Sequence, residues 1–441
     1  MTIAVDAARS SSVAWWREPT KDQWLAWTAA WLGWMLDAFD FTIFLLIMLP
    51  IADEFGVSLT AVSAVLTLTL WLRLVGATAS GWLADRIGRK TPLMISILWF
   101  SICNFIAGFS PTFTFLFIVR AILGIGMGAE WPAGASLAME AWPARPRGLM
   151  GAVLQGSWGL GFALSSIAYW LLFDSIGWRG LLWLGLLPAL ACVYIRCYVK
   201  EPDVWVENRK QQREFGHEVR APLLSIFKPA LLKNTLTACW WISGGMVVYY
   251  STFGLFAVWL QKEFQLAAVV VATPILLANL ATVVAAGFWG QIADNIGRRG
   301  TLVILAMIAC IVAPAYLLTG DLNWIMAGFI IQGCFGGALG CLNPTLTERF
   351  PTEVRATASG FCYHVGSIFG GLVPPVISYF AVEHQMGFAA PMLIGTLVGA
   401  GSVIVALLIS PETKGKVFVS ELMSHQAHKR GSGQALAWQL G

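Results

Sequence analysis

Five ionisable side chains stand inside otherwise apolar stretches of the chain: Asp37, Asp40, Arg73, Arg120 and Glu130. An ionisable group is costly in such surroundings, so each is a functional candidate. Asp37 and Asp40 are spaced i, i+3, which puts them near each other on one helix face. Two carboxylates in a low-dielectric site do not ionise together easily, and a nearby guanidinium counters that reluctance. An acid whose basic partner changes between two conformations can take up and release a proton. The chemistry on offer is therefore proton exchange coupled to anion binding. Asp37, Asp40 and Glu130 are candidates for the proton. Arg120 first and Arg73 second are candidates to attract a carboxylate. The bland alternative is an Asp–Arg pair that only ties helices together.

The later part of the chain holds no charge at comparable depth. It offers Asn279, Gln332, Asn343 and His364, with Tyr249 and Tyr250 as further substrate contacts. His364 belongs to a type that titrates near neutral pH, although an isolated His in a Gly-rich helix is more often a hydrogen-bonded structural residue. Other chemistries lack their residues. GMGAE at 126–130 has no preceding strand and no Walker lysine, so it is no phosphate loop. It reads as a place where helices approach closely. No nucleophile–base set is evident, so no enzyme is expected. The eight cysteines form no CxxC pair or spaced His/Cys cluster, and neither metal nor cofactor is expected beyond the coupling proton.

These residues need long apolar helices to carry them. The chain is 57% hydrophobic and 12% charged, against about 25% charged in a soluble protein. A spanning helix needs about 20 apolar residues. Twelve segments qualify, at roughly 24–50, 58–83, 91–110, 113–141, 149–173, 178–199, 233–261, 266–291, 301–319, 322–347, 356–381 and 386–410. The expectation is an all-α membrane protein with twelve transmembrane helices in two six-helix bundles. The bundles cover 24–199 and 233–410, with tails 1–23 and 411–441 and a polar linker 200–232. Segment 1–22 is polar, and the first apolar run is too long for a cleavable signal. The many Trp residues read as interface and packing groups. Depths counted from helix ends let the two acids and two arginines pair within one bundle, and an Asp40–Arg120 pair is expected.

Orientation follows from Lys and Arg. One set of loops holds Arg86, Arg89 and Lys90, then Arg145 and Arg147, a cluster from Lys200 to Lys233, Arg298 and Arg299, and Arg349 and Arg355. The opposite loops hold only Arg179 and Lys262. Both termini and the linker are expected in the cytoplasm. The basic residues are spread over many short loops, which gives no support for nucleic-acid binding.

The chain also repeats itself. GWLADRIGRK at 81–90 returns as GQIADNIGRR at 290–299, and EAWPARPRG at 140–148 returns as ERFPTEVRA at 348–356. Gly88 and Gly297 permit a tight turn. Asp85 and Asp294 sit at helix ends beside Arg89 and Arg298, within reach of basic groups and helix termini. Such contacts would favour one conformation and break in another, so Asp85, Arg86, Gly88, Arg89, Asp294, Gly297 and Arg298 are read as gating loops. Topology alone would also place Arg86, Arg89 and Lys90 there.

GWLADRIGRK with its weaker second copy resembles the loop signature of the major facilitator superfamily, and the resemblance covers the whole chain. It implies two bundles related by an axis along the membrane normal, a midplane substrate site, and rocking of the halves. It also implies that helices 1, 4, 7 and 10 line the cavity, so that an Asp40–Arg120 pair would face the substrate path. QWLAWTAAWLGWMLDAFDF is similar to the sialate:proton symporter family, which includes lactate and pyruvate carriers. Helix 4, with Arg120, Glu130 and Glu140, fits the same group. Some sialate carriers have two further helices near the middle of the chain. With twelve spans, this chain resembles the shorter monocarboxylate carriers instead. GAEWPAGASLAME also resembles the metabolite:proton symporters.

The leading expectation is proton-coupled symport of a small organic anion, a monocarboxylate of the lactate or pyruvate type or sialate. It would act as a monomer in a bacterial inner membrane. The alternatives are a proton symporter of aromatic acids or of di- and tricarboxylate metabolites, and a transporter-like nutrient sensor, against which the short polar tail counts.

Overall fold

A computed structural model of the chain describes residues 15–143, 146–214, 222–266, 268–336, 342–382 and 384–415. Most of both expected tails, Arg145, the linker stretch 215–221 and residues 337–341 of the tenth expected span lie outside the described residues. The described residues are mostly helical, with no strand among them. The first half of the chain contributes α1 (Lys21–Leu46), α2 (Met48–Phe55), α3 (Leu59–Ile87), α4 (Lys90–Ala107), α5 (Phe113–Ala141), α6 (Arg147–Trp183) and α7 (Ala189–Tyr198). Next come α8 (Asp203–Glu214) and α9 (Pro222–Ser225). The second half contributes α10 (Pro229–Thr252), α11 (Phe256–Glu263), α12 (Ala268–Ile296), α13 (Arg298–Leu317), α14 (Leu322–Gly336), α15 (Leu342–Thr347), α16 (Arg355–Val382) and α17 (Ala389–Leu408).

Local signals set the helix ends. Thr20 and Gln23 form a capping box at the start of α1, and Ser58 and Thr112 cap α3 and α5 with their hydroxyls. Among the described residues, ten helical segments are long and apolar enough to cross a membrane. One of them, Arg147–Tyr198, runs to 52 residues, far more than the ~20 that a bilayer needs. Gly177, at φ 64°, breaks it. Before the break the chain packs on α1 and α12; after it, on α4 and again on α1.

Within the first half, α5 packs on α3 and α4, and α6 on α1. Within the second half, α10 packs on α16 and α17, and α12 on α14. The glycines of GMGAE give α5 its close approach, since a Cβ on Gly128 would lie 2.0 Å from the Arg73 carbonyl oxygen. The two halves meet chiefly through α3 against α16 and α6 against α12. The linker joins this contact: Asn208 of α8 is buried and donates to Glu353 at 2.8 Å.

The two ends of the bundle differ. At the end bearing the repeated loops, polar bonds cross between the halves. At the far end Glu54 and Glu263 each bond within their own half. Glu54 accepts from Trp178 at 2.6 Å and pairs with Arg179; Glu263 accepts from Trp259 at 2.7 Å and from the Phe388 backbone N–H.

Candidate functional site

Asp37 and Arg73 meet in the interior. Arg73 Nη2 donates to Asp37 Oδ1 at 3.0 Å and contacts Met127 Sδ at 3.2 Å. Its guanidinium carbon lies 5.4 Å from the Phe41 ring centre. The side chains are 4% and 0% exposed, so the pair is removed from bulk solvent. Asp37 Oδ2 and Arg73 Nε have no hydrogen-bond partner among the described residues. The pair is thus only half made, with capacity left on each side.

The expected Asp40–Arg120 pair is not formed. Arg120 Nη1 donates instead to Asn104 Oδ1 at 2.9 Å, and its guanidinium carbon lies 4.2 Å from the Phe44 ring centre. Neither Asp40 oxygen makes a hydrogen bond, although Arg120 and Asn104 lie within electrostatic reach. At 3.6 residues per turn, a spacing of three turns Asp40 about 60° away from Asp37. That offset sends the two acids to different neighbours. Asn104, a buried polar residue on the apolar helix α4, intercepts Arg120. Its occurrence in such a helix was the available signal.

Glu130 lies against α1. A Cβ on Gly33 would stand 2.6 Å from Glu130 Oε1, and Oε2 has no hydrogen-bond partner. The two helices therefore touch at a carboxyl group close to the Asp37–Arg73 pair.

Aromatic rings from both halves surround this region. Trp34 lies 4.8 Å from Trp158 and 6.2 Å from Tyr363, centre to centre. Trp131 stacks on Tyr363 at 4.3 Å, and Phe41 lies 5.8 Å from Trp158. Arg73 is within electrostatic reach of Tyr250, Tyr363 and His364. Trp34, Trp131 and Trp158 thus occupy the interior rather than the lipid interface. Their even scatter among many other Trp residues concealed this in the sequence.

The remaining second-half candidates divide: His364 and Tyr249 border this region, while Asn279 and Asn343 lie elsewhere. His364 Nδ1 bonds to the Gly360 carbonyl at 2.9 Å, and its other ring nitrogen has no partner. Asn279 donates to the Ile275 carbonyl of its own helix at 2.9 Å. Asn343 donates across the halves to the Gly151 carbonyl at 3.3 Å. Tyr249 stacks on Phe253 and lies against Trp158 of the first half; with Gln332 it also lines an apolar cavity of about 100 Å³ walled by second-half residues.

The repeated loops form two reciprocal clasps. Asp85 accepts from the Ala356 and Thr357 N–H groups at 3.1 and 2.9 Å, and from the Thr357 hydroxyl at 2.7 Å. It thereby holds the N-terminus of α16, where helix N–H groups lack internal partners. Asp294 accepts from the Gly148 and Leu149 N–H groups at 3.0 and 2.9 Å, at the N-terminus of α6. Arg89 donates to Asp85 at 2.8 Å and to both oxygens of Glu140 at 3.0 and 2.8 Å. Arg355, of the other half, reaches the same Glu140 at 2.6 Å. Burial favours the neutral guanidine of Arg89, but Glu140 and Asp85 outweigh it and hold its pKa above the ordinary arginine value. The matching set is Arg298 with Asp294, and Glu348 at 3.4 Å from Arg298 and 3.6 Å from Arg147. Arg86 stands apart, exposed and lying over Trp82.

One acid outside the motif completes each clasp. Glu201 accepts from the Arg89 and Lys90 N–H groups at 2.7 and 2.9 Å; Glu412 accepts from those of Arg298 and Arg299 at 2.9 and 3.1 Å. Gly88 and Gly297 have φ of 113° and 106°, and a Cβ on either would strike the capping glutamate at 2.4 or 2.5 Å. The glycines are required both by the turn and by the acid beside it.

Comparison with known proteins agrees with this architecture. The chain is 29% identical over 425 residues to a probable 4-methylmuconolactone transporter of Cupriavidus pinatubonensis, covering 94% of this chain and 96% of that one. It is 26% identical to the sialic acid transporter NanX of Escherichia coli, over 92% of this chain and 98% of the relative. The solved proton:xylose symporter XylE, 17% identical, superposes with a TM-score of 0.73 over 92% of this chain and 99% of its own, which shows a shared fold. The profile described as Major Facilitator Superfamily matches residues 30–374 and 245–431. With its paired loops, paired clasps and family match, the chain belongs to the Major Facilitator Superfamily of transporters.

Proposed function

We propose that the chain is a proton-coupled symporter of a small organic anion in a bacterial inner membrane. We read twelve spans: the ten long segments, with Arg147–Tyr198 counted as two at Gly177, and the α14–α15 region. The basic loops support a reading with both termini in the cytoplasm. The relatives named for 4-methylmuconolactone and for sialic acid support a small metabolite as cargo.

The single observation that carries the reading is the half-made Asp37–Arg73 pair beside the seam between the halves. A substrate carboxylate competes with Asp37 for Arg73. A proton on Asp37 removes that competition and cancels the added negative charge. The loaded site then carries no more net charge than the empty one, which lets the halves rock about it. Release of proton and anion on the other side restores the ion pair. Arg73 therefore leads as the anion site and Asp37 as the proton site, with Asp40, Glu130 and Arg120 as the reserve behind them.

Uptake of organic acids into liposomes, with and without an inward proton gradient, tests this. Wild type is expected to accumulate acid only with the gradient. Asp37→Asn is expected to lose uphill uptake while retaining exchange. Accumulation by Asp37→Asn against a gradient would sink the coupling assignment.

A further inference from the structure

Aromatic rings from both halves stand around Arg73. Trp131, of α5, and Tyr363, of α16, stack across the seam with centres 4.3 Å apart and planes 16° from parallel. Trp34 stands edge-on to Tyr363 at 78° and lies tilted against Trp158. Trp34 and Trp131 are 3% exposed and Tyr363 is 8% exposed, so these rings face protein rather than lipid. Trp34 Nε1 has no hydrogen-bond partner among the described residues. The region thus combines one buried cation with flat aromatic walls, whose polar edges include Trp34 Nε1 and the unpartnered ring nitrogen of His364.

Such walls discriminate among acids. A two- or three-carbon acid held at Arg73 would leave the rings untouched. A flat conjugated ring gains stacking contacts beyond its area. A dianion would need a second cation at the seam, and Arg120 is instead fully buried against Asn104 and Phe44.

We propose that Trp34, Trp131, Trp158 and Tyr363 form the specificity face of the substrate site, and that the cargo is a planar, conjugated monocarboxylate. Its carboxylate lies at Arg73 and its ring enters between Trp131 and Tyr363. This rests on the reading of Arg73 as the anion site. Because the Trp131–Tyr363 stack spans the seam, an entering ring replaces one contact between the halves with two. The substrate then joins the halves that it parts.

Benzoate and cyclohexanecarboxylate share a carboxylate and a similar size but differ in planarity. Their binding to the purified full chain, read by calorimetry, tests the assignment, with lactate as a third ligand. Benzoate is expected to bind roughly tenfold tighter than either. Trp131→Leu and Tyr363→Leu should each remove most of that preference, and Tyr363→Phe should keep it. Two independent ring-removing variants, checked by thermal melting, guard against failure of one to fold. Equal affinity for benzoate and cyclohexanecarboxylate overturns the ring assignment, as does a preference that survives both leucine variants or lactate binding as tight as benzoate. Binding of the acids that is unchanged in Arg73→Gln overturns the anion-site reading instead. Failure of benzoate to bind at millimolar concentration overturns the proposal too.

Discussion

The two copies of the repeated loop make corresponding contacts at different closeness. Around the first copy, Glu140 is gripped by Arg89 through both oxygens and by Arg355 at 2.6 Å from the other half. Around the second, Glu348 stands 3.4 Å from Arg298 and 3.6 Å from Arg147, its partner in the other half. Asp85 accepts three bonds from α16, Asp294 two from α6. Duplication has kept the residue types, while packing around them decides how strongly each set holds. The difference teaches that a shared motif fixes which groups meet but not the strength of the meeting.

The comparison can be broken at Glu140 first. Glu140→Gln strands two buried guanidiniums and should weaken closure of this end by about 3–5 kcal/mol, while Glu348→Gln should have a clearly smaller effect. Spin labels at the exposed helix ends Ile87 and Ile296 would report the opening as a longer distance. Equal shifts in the two variants would refute the ranking. Next, Asp85→Asn should cost about 1.5–3 kcal/mol of the same closure, and Asp294→Asn less, read by the same labels. Gly88→Ala and Gly297→Ala sharpen the comparison from the other side. Both glycines carry positive φ against a glutamate, so the two losses in thermal stability should match, at about 1–3 kcal/mol each. The smallest effects are expected for Glu201→Gln and Glu412→Gln, about 0.5–2 kcal/mol of helix capping. They should again be equal, and a wide gap in melting temperature between them would show that the caps are not equivalent.

Much of this was legible in the sequence, and the illegible part has a common cause. The paired loops announced their carboxylates, arginines and glycines because that chemistry is local, within one turn and one helix end. The buried charges announced themselves because they contradict their surroundings. Which charge meets which was not legible. Asp37 and Asp40 differ by a fraction of a helical turn, and rotation of α1 against its neighbours decides that Arg73 takes one acid while Asn104 holds Arg120 from the other. The capping glutamates were equally hidden. Glu201 lies in a polar linker and Glu412 at the edge of a polar tail, where an acid needs no explanation until the fold brings a helix N-terminus to it. The seam aromatics were concealed for the opposite reason: a Trp inside an apolar helix looks the same whether it faces lipid, core or cargo.

The far end of the molecule has a kinetic consequence. Glu54 and Glu263 each spend their bonds on partners in their own half, so parting the halves there breaks none of those bonds. Parting them at the other end breaks several buried ones at once. Entry from the far side should therefore be quick and nearly indifferent to ionic strength. In the proposed import cycle, opening of the clasped side becomes the slow stroke, and turnover is set by how often that stroke succeeds rather than by how often cargo arrives.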